Sequence, residues 1–386
     1  MNDARAGLQR VKIEVADEHL EDLRRRLDCI RLPDQMLPGT GWSRGADLSY
    51  VKSFLAYWHR EYDWRAWEQR LNNIPQYIAE VDGTVIHFLH LRSHAEHSIP
   101  LLLLHGWPGS ILEFIDLIEP LTAPESGYPT PAFDLVIPSL PGYGFSSAPT
   151  EPGWDVVRVA AAFDGLMTDT LDYRQYGVHG GDWGGIIATV LGCRHAANTL
   201  GIHVNFPMAL PPPGAVGEAV SRYHSAVTAF GSSEQAYGAV HMTKPMSLAI
   251  GQTDSPAALA GWILEKFQGW HDPARSIDDA FGRDWLASNL MMYWLPRSVA
   301  GSLNLYFETG QTEPEILFRH RVETPTGIAI FPHEFPTVTA VTDDWYRQRY
   351  NVQRLTRFDS GGHFAAREEP DALIADIRAF FGGLRR

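Results

Sequence analysis

Apolar residues recur at helical spacing in the first part of the chain. Leu20, Leu23 and Leu27 fall on one face of an expected helix over 14–28, and Pro33 and Pro38 end it in a loop. A second helix is expected near Asp47, a residue type that caps helix starts, with Leu48, Val51, Leu55 and Trp58 on its buried face. A third runs from about Trp64 to Leu71, and no strand signal precedes residue 76. The pattern then changes. Gln76–Val81 and Thr84–Leu91 read as strands joined by Asp82-Gly83, a dipeptide typical of tight hairpins. Pro100-Leu101-Leu102-Leu103-Leu104 is wholly apolar, as suits a central strand covered on both faces. Strands are also expected at Phe133–Pro138, Tyr176–His179, Gly201–Asn205, Gly327–Phe331 and Arg354–Phe358. Helices are expected at Ile111–Leu121, Val156–Leu171 and Pro370–Phe381, and in the apolar run that begins Ile186-Ile187-Ala188.

This alternation implies a mostly parallel sheet wrapped by helices. Between about Pro211 and Thr309 the strand signals stop, and only helices and loops are expected, among them Pro256–Trp270 and Asp284–Leu295. A helical insertion between late strands acts as a lid over the carboxyl ends of the strands, where ligands bind in such sheets. The expected organisation is a helical meander over 1–75, a first core segment over 76–210, a cap over 211–309 and a second core segment over 310–386.

The chemistry centres on Gly180-Gly181-Asp182-Trp183-Gly184-Gly185, between a strand and an apolar helix. A nucleophile elbow has this layout: a reactive residue at the apex of a sharp turn, with small residues two before and two after. Here the apex is Asp182 instead of serine, and a carboxylate needs no base to activate it. The bland alternative is a glycine-rich turn with Asp182 as a helix cap. Gly41-Trp42-Ser43-Arg44-Gly45 matches the serine pattern literally, but no strand leads into it and no buried helix leaves it.

An aspartyl nucleophile forms an ester that water must then cleave, which calls for a base and for oxyanion donors. His363, in Asp359-Ser360-Gly361-Gly362-His363, follows the last strand, where this template puts its histidine. His105 and His179 are rivals that suit hydrogen bonds to backbone. Glu334 lies just past an earlier strand end and is the candidate acid, with Asp343 and Asp344 as rivals. Backbone N–H groups of Trp107 and Trp183 would form the oxyanion hole. If the leaving atom is an alkoxide oxygen, a proton donor is needed, and Tyr223, Tyr237, Tyr293 and Tyr306 all lie in the cap.

Composition narrows the partners. The apolar fraction of 45% in 386 residues gives ample core, and the net charge of −14 with no long basic cluster argues against nucleic acid and anionic membranes. Only Cys29 and Cys193 are present, read as reduced, helix-borne thiols. No apolar run approaches the ~18 residues of a membrane span, and the polar Met1–Arg10 stretch lacks a signal-peptide core. A cytoplasmic location without membrane attachment is expected.

Taken together, His105-Gly106-Trp107-Pro108-Gly109, Gly180-Gly181-Asp182-Trp183-Gly184 and Gly361-Gly362-His363-Phe364-Ala365-Ala366 resemble the α/β-hydrolase-fold epoxide hydrolases. The likeness is to the microsomal, juvenile-hormone and fungal branch with an N-terminal meander. It extends to Thr243-Lys244-Pro245, Asp254-Ser255-Pro256 and Ile263-Leu264-Glu265-Lys266-Phe267 in the cap. The resemblance implies the α/β-hydrolase fold, a small-molecule epoxide and water as reactants, no cofactor and no metal. It puts the two epoxide-binding tyrosines at Tyr237 and Tyr306 and the acid at Glu334. The membrane anchor of mammalian members is absent, and Met246-Ser247-Leu248-Ala249-Ile250-Gly251 departs from the family's cap. Similar bacterial enzymes take part in enediyne antibiotic assembly, so a biosynthetic role stands beside detoxification; a homodimer is left open. The rival readings are a haloalkane dehalogenase, which shares the Asp-Trp elbow, and a catalytically silent binding protein of the same fold.

Overall fold

A computed structural model describes residues 7–34, 39–123 and 131–384, so the expected break at Pro38 and the first six residues lie outside it. Its centre is the apolar run: Leu101 to Leu104 are fully buried in β4 (Ser98–Leu104). The other strands are β1 (Leu8–Val11), β2 (Gln76–Val81), β3 (Thr84–Leu91), β5 (Ala132–Pro138), β6 (Tyr176–Gly180), β7 (Thr199–Val204), β8 (Val322–Ile330) and β9 (Tyr350–Arg357). Their spatial order is β1-β2-β3-β5-β4-β6-β7-β8-β9. The pairs β1–β2, β2–β3 and β3–β5 are antiparallel, and every pair from β5 through β4 to β9 is parallel. Asp82 and Gly83, with φ of 48° and 73°, make the left-handed turn that the hairpin between β2 and β3 requires.

β1 is a correction to the reading of the N-terminal region as purely helical. It pairs Leu8 with Ala79 and Val11 with Gln76 at the edge of the sheet. Gln9 and Arg10 separate its two apolar residues, so it has no period-two alternation to betray it. The three early helices follow at Asp17–Asp28, Leu48–Arg60 and Trp64–Asn72. Asp47 caps the second, accepting from the Ser49 and Tyr50 N–H groups at 2.7 and 3.2 Å. Ser43, the serine of the rejected pattern, lies in an exposed turn and donates to the Thr40 carbonyl at 2.7 Å. Cys29 and Cys193 are free thiols, and Cys29 sits one residue past the end of its helix.

Between β7 and β8 the regular elements are all helical, from Glu218 to Phe318. The helix Arg283–Trp294 is buried along its whole length from Trp285 onward. The early helices grip this insertion: the Tyr50 hydroxyl donates to Asp278 at 2.6 Å, Tyr62 bonds Ser288 at 2.9 Å, and the Trp67 indole donates to Asp284. Those contacts fix the insertion over the carboxyl ends of the parallel strands.

One polar cluster ties the sheet to the closing helix Pro370–Gly383. His179 on β6 and His203 on β7 share a contact of 3.0 Å between Nδ1 atoms, and His203 Nε2 lies 2.9 Å from Asp376. Arg354 and Thr356 of β9 donate to the other Asp376 oxygen at 2.6 and 2.7 Å. Burial by itself would raise the Asp376 pKa; the bonds from His203, Thr356 and Arg354 override it and lower it to about 2.

Candidate active site

β6 runs into a sharp turn and then into the helix Asp182–Arg194. Asp182 has a φ of 48°, a left-handed conformation rare outside glycine. A Cβ at Gly180 would stand 2.3 Å from the Gly184 carbonyl oxygen, and one at Gly184 would stand 1.9 Å from the Leu104 carbonyl oxygen. Strand and helix therefore pass at a separation only glycine permits, and the turn lifts Asp182 above the strand ends. Strain of this kind persists where the surrounding structure over-determines it, as at reactive sites.

His363 stands over Asp182. Its Nε2 lies 3.3 Å from Asp182 Oδ2 and its Nδ1 lies 2.7 Å from Glu334 Oε1. The ring is held flat against Phe335, 4.6 Å between centroids at an interplanar angle of 8°, with Trp270 edge-on at 5.2 Å. Its backbone N–H donates to the Trp270 carbonyl at 2.9 Å. Burial alone would lower the His363 pKa; the Glu334 and Asp182 carboxylates on its two sides overcome that and raise it to about 10. Glu334 Oε1 also accepts from the Phe335 N–H at 2.8 Å, while Oε2 has no hydrogen-bond partner among the described residues.

The loop after β4 reaches Asp182 from the other side. The Trp107 N–H donates to Asp182 Oδ1 at 2.8 Å. The insertion holds that loop in place: Asn289 donates to the Pro108 carbonyl at 2.8 Å, Ser110 donates to Asn289 at 2.8 Å, and Tyr293 donates to the Gly109 carbonyl at 2.6 Å. The Trp183 N–H belongs to the second residue of the elbow helix.

These bonds sort the tyrosines. The Tyr293 hydroxyl is spent on Gly109, and Tyr223 packs edge-on against Trp345 at 5.8 Å. Tyr237 stacks on Trp107 at 5.3 Å and 9°, and Tyr306 meets Trp183 edge-on at 4.6 Å. The Tyr237 and Tyr306 rings meet edge-on at 6.1 Å, and burial, reinforced by the Asp182 charge, holds both phenols far above their ordinary pKa. Both therefore keep their protons at neutral pH.

The rival residues are engaged in other bonds. Asp343 pairs with Arg357 at 2.7 Å, and His105 contacts the Gly106 carbonyl and accepts from the Leu140 N–H. His179 faces both the His203 carbonyl and the His203 ring. Several neighbours of the site were not anticipated from sequence. Phe335 and Trp270 wall in His363, Lys266 lies 5.0 Å over the Tyr237 ring, and Glu113 lines a small cavity with Asp182 and His363. Only pairing in space distinguishes these from ordinary core aromatics and helix charges. Among the described residues, no group of His, Cys, Asp or Glu is arranged to hold a metal ion, and no helix is long and apolar enough to cross a membrane.

Comparison with known proteins gives the family. Residues 8–114 match the family described as epoxide hydrolase N terminus, and residues 99–213 match the family described as alpha/beta hydrolase fold. A protein of Stigmatella aurantiaca is 37% identical over 385 residues, covering 98% of this chain and 86% of its own. Epoxide hydrolase 1 of Oryctolagus cuniculus is 32% identical, covering 97% of this chain and 89% of its own. The crystal structure of juvenile hormone epoxide hydrolase from Bombyx mori superposes with a TM-score of 0.86 at 30% identity, over 99% of this chain and 95% of that one. Neither the dehalogenase nor the silent binding protein is favoured by these relatives. The chain belongs to the epoxide hydrolases of the α/β-hydrolase fold, and it is an enzyme of that activity.

Proposed function

We propose that this epoxide hydrolase works through an ester on Asp182 and releases a vicinal diol. Asp182 Oδ2 attacks an epoxide carbon from the back face. Tyr237 and Tyr306, in the helical cap, bind the ring oxygen, and one of them protonates it as the C–O bond breaks. Esterification removes the Asp182 charge that supports the His363 proton. The histidine then gives that proton to solvent, regaining one when the Asp182 charge returns, and in its neutral form can take one from water. Water adds to Asp182 Cγ, the Trp107 and Trp183 N–H groups stabilise the oxyanion, and the Cγ–O bond to the substrate breaks. His363 returns its proton to the departing alcohol, the second water proton restores the tyrosine, and Asp182 is regenerated. Each oxyanion donor of this type contributes about 3 kcal/mol.

The observation that carries this reading is His363 seated between Glu334 at 2.7 Å and Asp182 at 3.3 Å, with the Trp107 N–H on the other Asp182 oxygen at 2.8 Å. The aromatic walls, Trp107, Trp183, Tyr237, Trp270 and Tyr306, favour an apolar or aryl epoxide. The test is His363→Gln mixed with styrene oxide and examined by intact-protein mass. The expected result is a stable gain of one epoxide mass, located on the peptide containing Asp182. A diol formed at the wild-type rate, or an adduct elsewhere, would refute it.

A further inference from the structure

Beside Asp182 lies a small cavity whose lining includes Trp107, Glu113, His179, Asp182, Asn205 and His363 and neither Tyr237 nor Tyr306. It offers about 10 Å³ to the centre of a water-sized sphere, close to the room of one water. A water needs two to four polar partners in such a place, and the lining includes the carboxyl groups of Glu113 and Asp182, the imidazoles of His179 and His363 and the Asn205 amide.

Glu113 is the carboxyl of that lining to which the reaction above gives no task. It sits on the short helical turn Ile111–Leu117, directly after the loop that brings the Trp107 N–H to Asp182. Its carboxyl packs against Gly109, where a Cβ would stand 1.6 Å from Glu113 Oε1, and its backbone N–H donates to the Ser110 carbonyl at 3.1 Å. Tyr293 and Asn289 hold that loop from above. The carboxyl is therefore positioned by the same framework that positions the oxyanion donor. The charged groups facing it are Asp182, His363 and, from the helix after His363, Arg367. Burial pushes the Glu113 carboxyl up to about 8, opposed by the His363 charge and aided by that of Asp182. Near neutral pH it is therefore mostly a neutral acid beside the nucleophile, so it does not compete with Asp182 for the epoxide.

Resting on the aspartyl-ester reading, we propose that Glu113 is a positioning residue for the second half-reaction, holding the ester-cleaving water between itself and His363. The water gives one proton to His363 Nε2, hydrogen-bonds through its other O–H to the Glu113 carboxyl oxygen, and directs a lone pair at Asp182 Cγ. Glu113 takes no net proton, so the balance of the reaction is unchanged.

The experiment separates the two half-reactions in single turnovers of styrene oxide, with quenched samples read by intact-protein mass. Glu113→Ala is expected to form the ester within about threefold of the wild-type rate and to cleave it about 10- to 100-fold more slowly, the scale of a displaced reactant. The ester then accumulates where wild type shows little. Glu113→Gln keeps an oxygen acceptor and is expected to recover most of the cleavage rate. It is also expected to lose one ionisation from the pH profile of that step, a readout that a merely structural role would not move. Equal slowing of both half-reactions, or no slowing of cleavage, overturns the inference while leaving the ester intact. If no ester forms in any variant, His363→Gln included, the aspartyl reading falls and this inference falls with it.

Discussion

This protein has two buried histidine–carboxylate pairs, and under the proposed mechanism they are put to opposite uses. In one, His203 meets Asp376 at 2.9 Å, and Asp376 also receives Arg354 and Thr356, so that both its oxygens are engaged. In the other, His363 meets Glu334 at 2.7 Å, but Glu334 Oε2 has no partner among the described residues. The free edge of the His363 ring faces Asp182 and a cavity. Both pairs are desolvated to nearly the same degree, with Asp376 at 2% and Glu334 at 5% exposure. Burial therefore does not separate a structural pair from a reactive one. What separates them is whether every hydrogen-bonding position is already filled.

The contrast can be broken first at the reactive pair. Glu334→Gln removes the charge that supports the His363 imidazolium and is expected to lower kcat about 10²- to 10⁴-fold, a loss of rate far out of proportion to a fall of a few degrees in melting temperature. Steady-state kinetics beside a thermal melt checks it, and a fall in stability without loss of rate would reverse the assignment of the two pairs. The structural pair should behave the other way. Asp376→Ala leaves His203 and Arg354 without their partner and is expected to cost about 3–5 kcal/mol of stability. The folded fraction should keep its kcat, as denaturant titration with activity normalised to folded protein would show.

The smallest expected effects lie in the pH dependence of stability, where the two pairs act at opposite ends. The folded His363 pKa is raised from 6.5 to about 10. Its stabilisation is therefore complete below about 6.5 and is lost as pH rises through 10. The folded Asp376 pKa is lowered from 3.8 to about 2, so its contribution is present above 3.8 and is lost as pH falls through 2. Melting curves across pH should show an alkaline decline of a few degrees that Glu334→Gln flattens. An acid decline should be flattened by Asp376→Asn instead.

Much of this was legible in the sequence because local rules and tertiary demands agree there. The run Leu101–Leu104, the Asp82-Gly83 turn and the Pro256–Trp270 helix each carry their own signal, and the structure has each at or near its expected place. The elbow was legible for a related reason: Gly180 and Gly184 are required by contacts so close that no other residue fits. β1 was not, since an edge strand of four residues needs only a partner to pair with. The His203–Asp376 pair was also hidden. Its members lie 173 positions apart, and neither stands in a pattern that betrays the other. Glu113 reads as an ordinary helix carboxylate until the chain folds it against Gly109.

The central claim is that an oxygen of Asp182, not of solvent, enters the first diol. A single turnover of styrene oxide in oxygen-18 water, with enzyme in excess and the diol analysed by mass spectrometry, tests it directly. The account predicts an unlabelled first diol, label appearing in Asp182, and labelled diol only in later turnovers. Label in the first diol would mean that water attacks the epoxide itself, and would contradict the account.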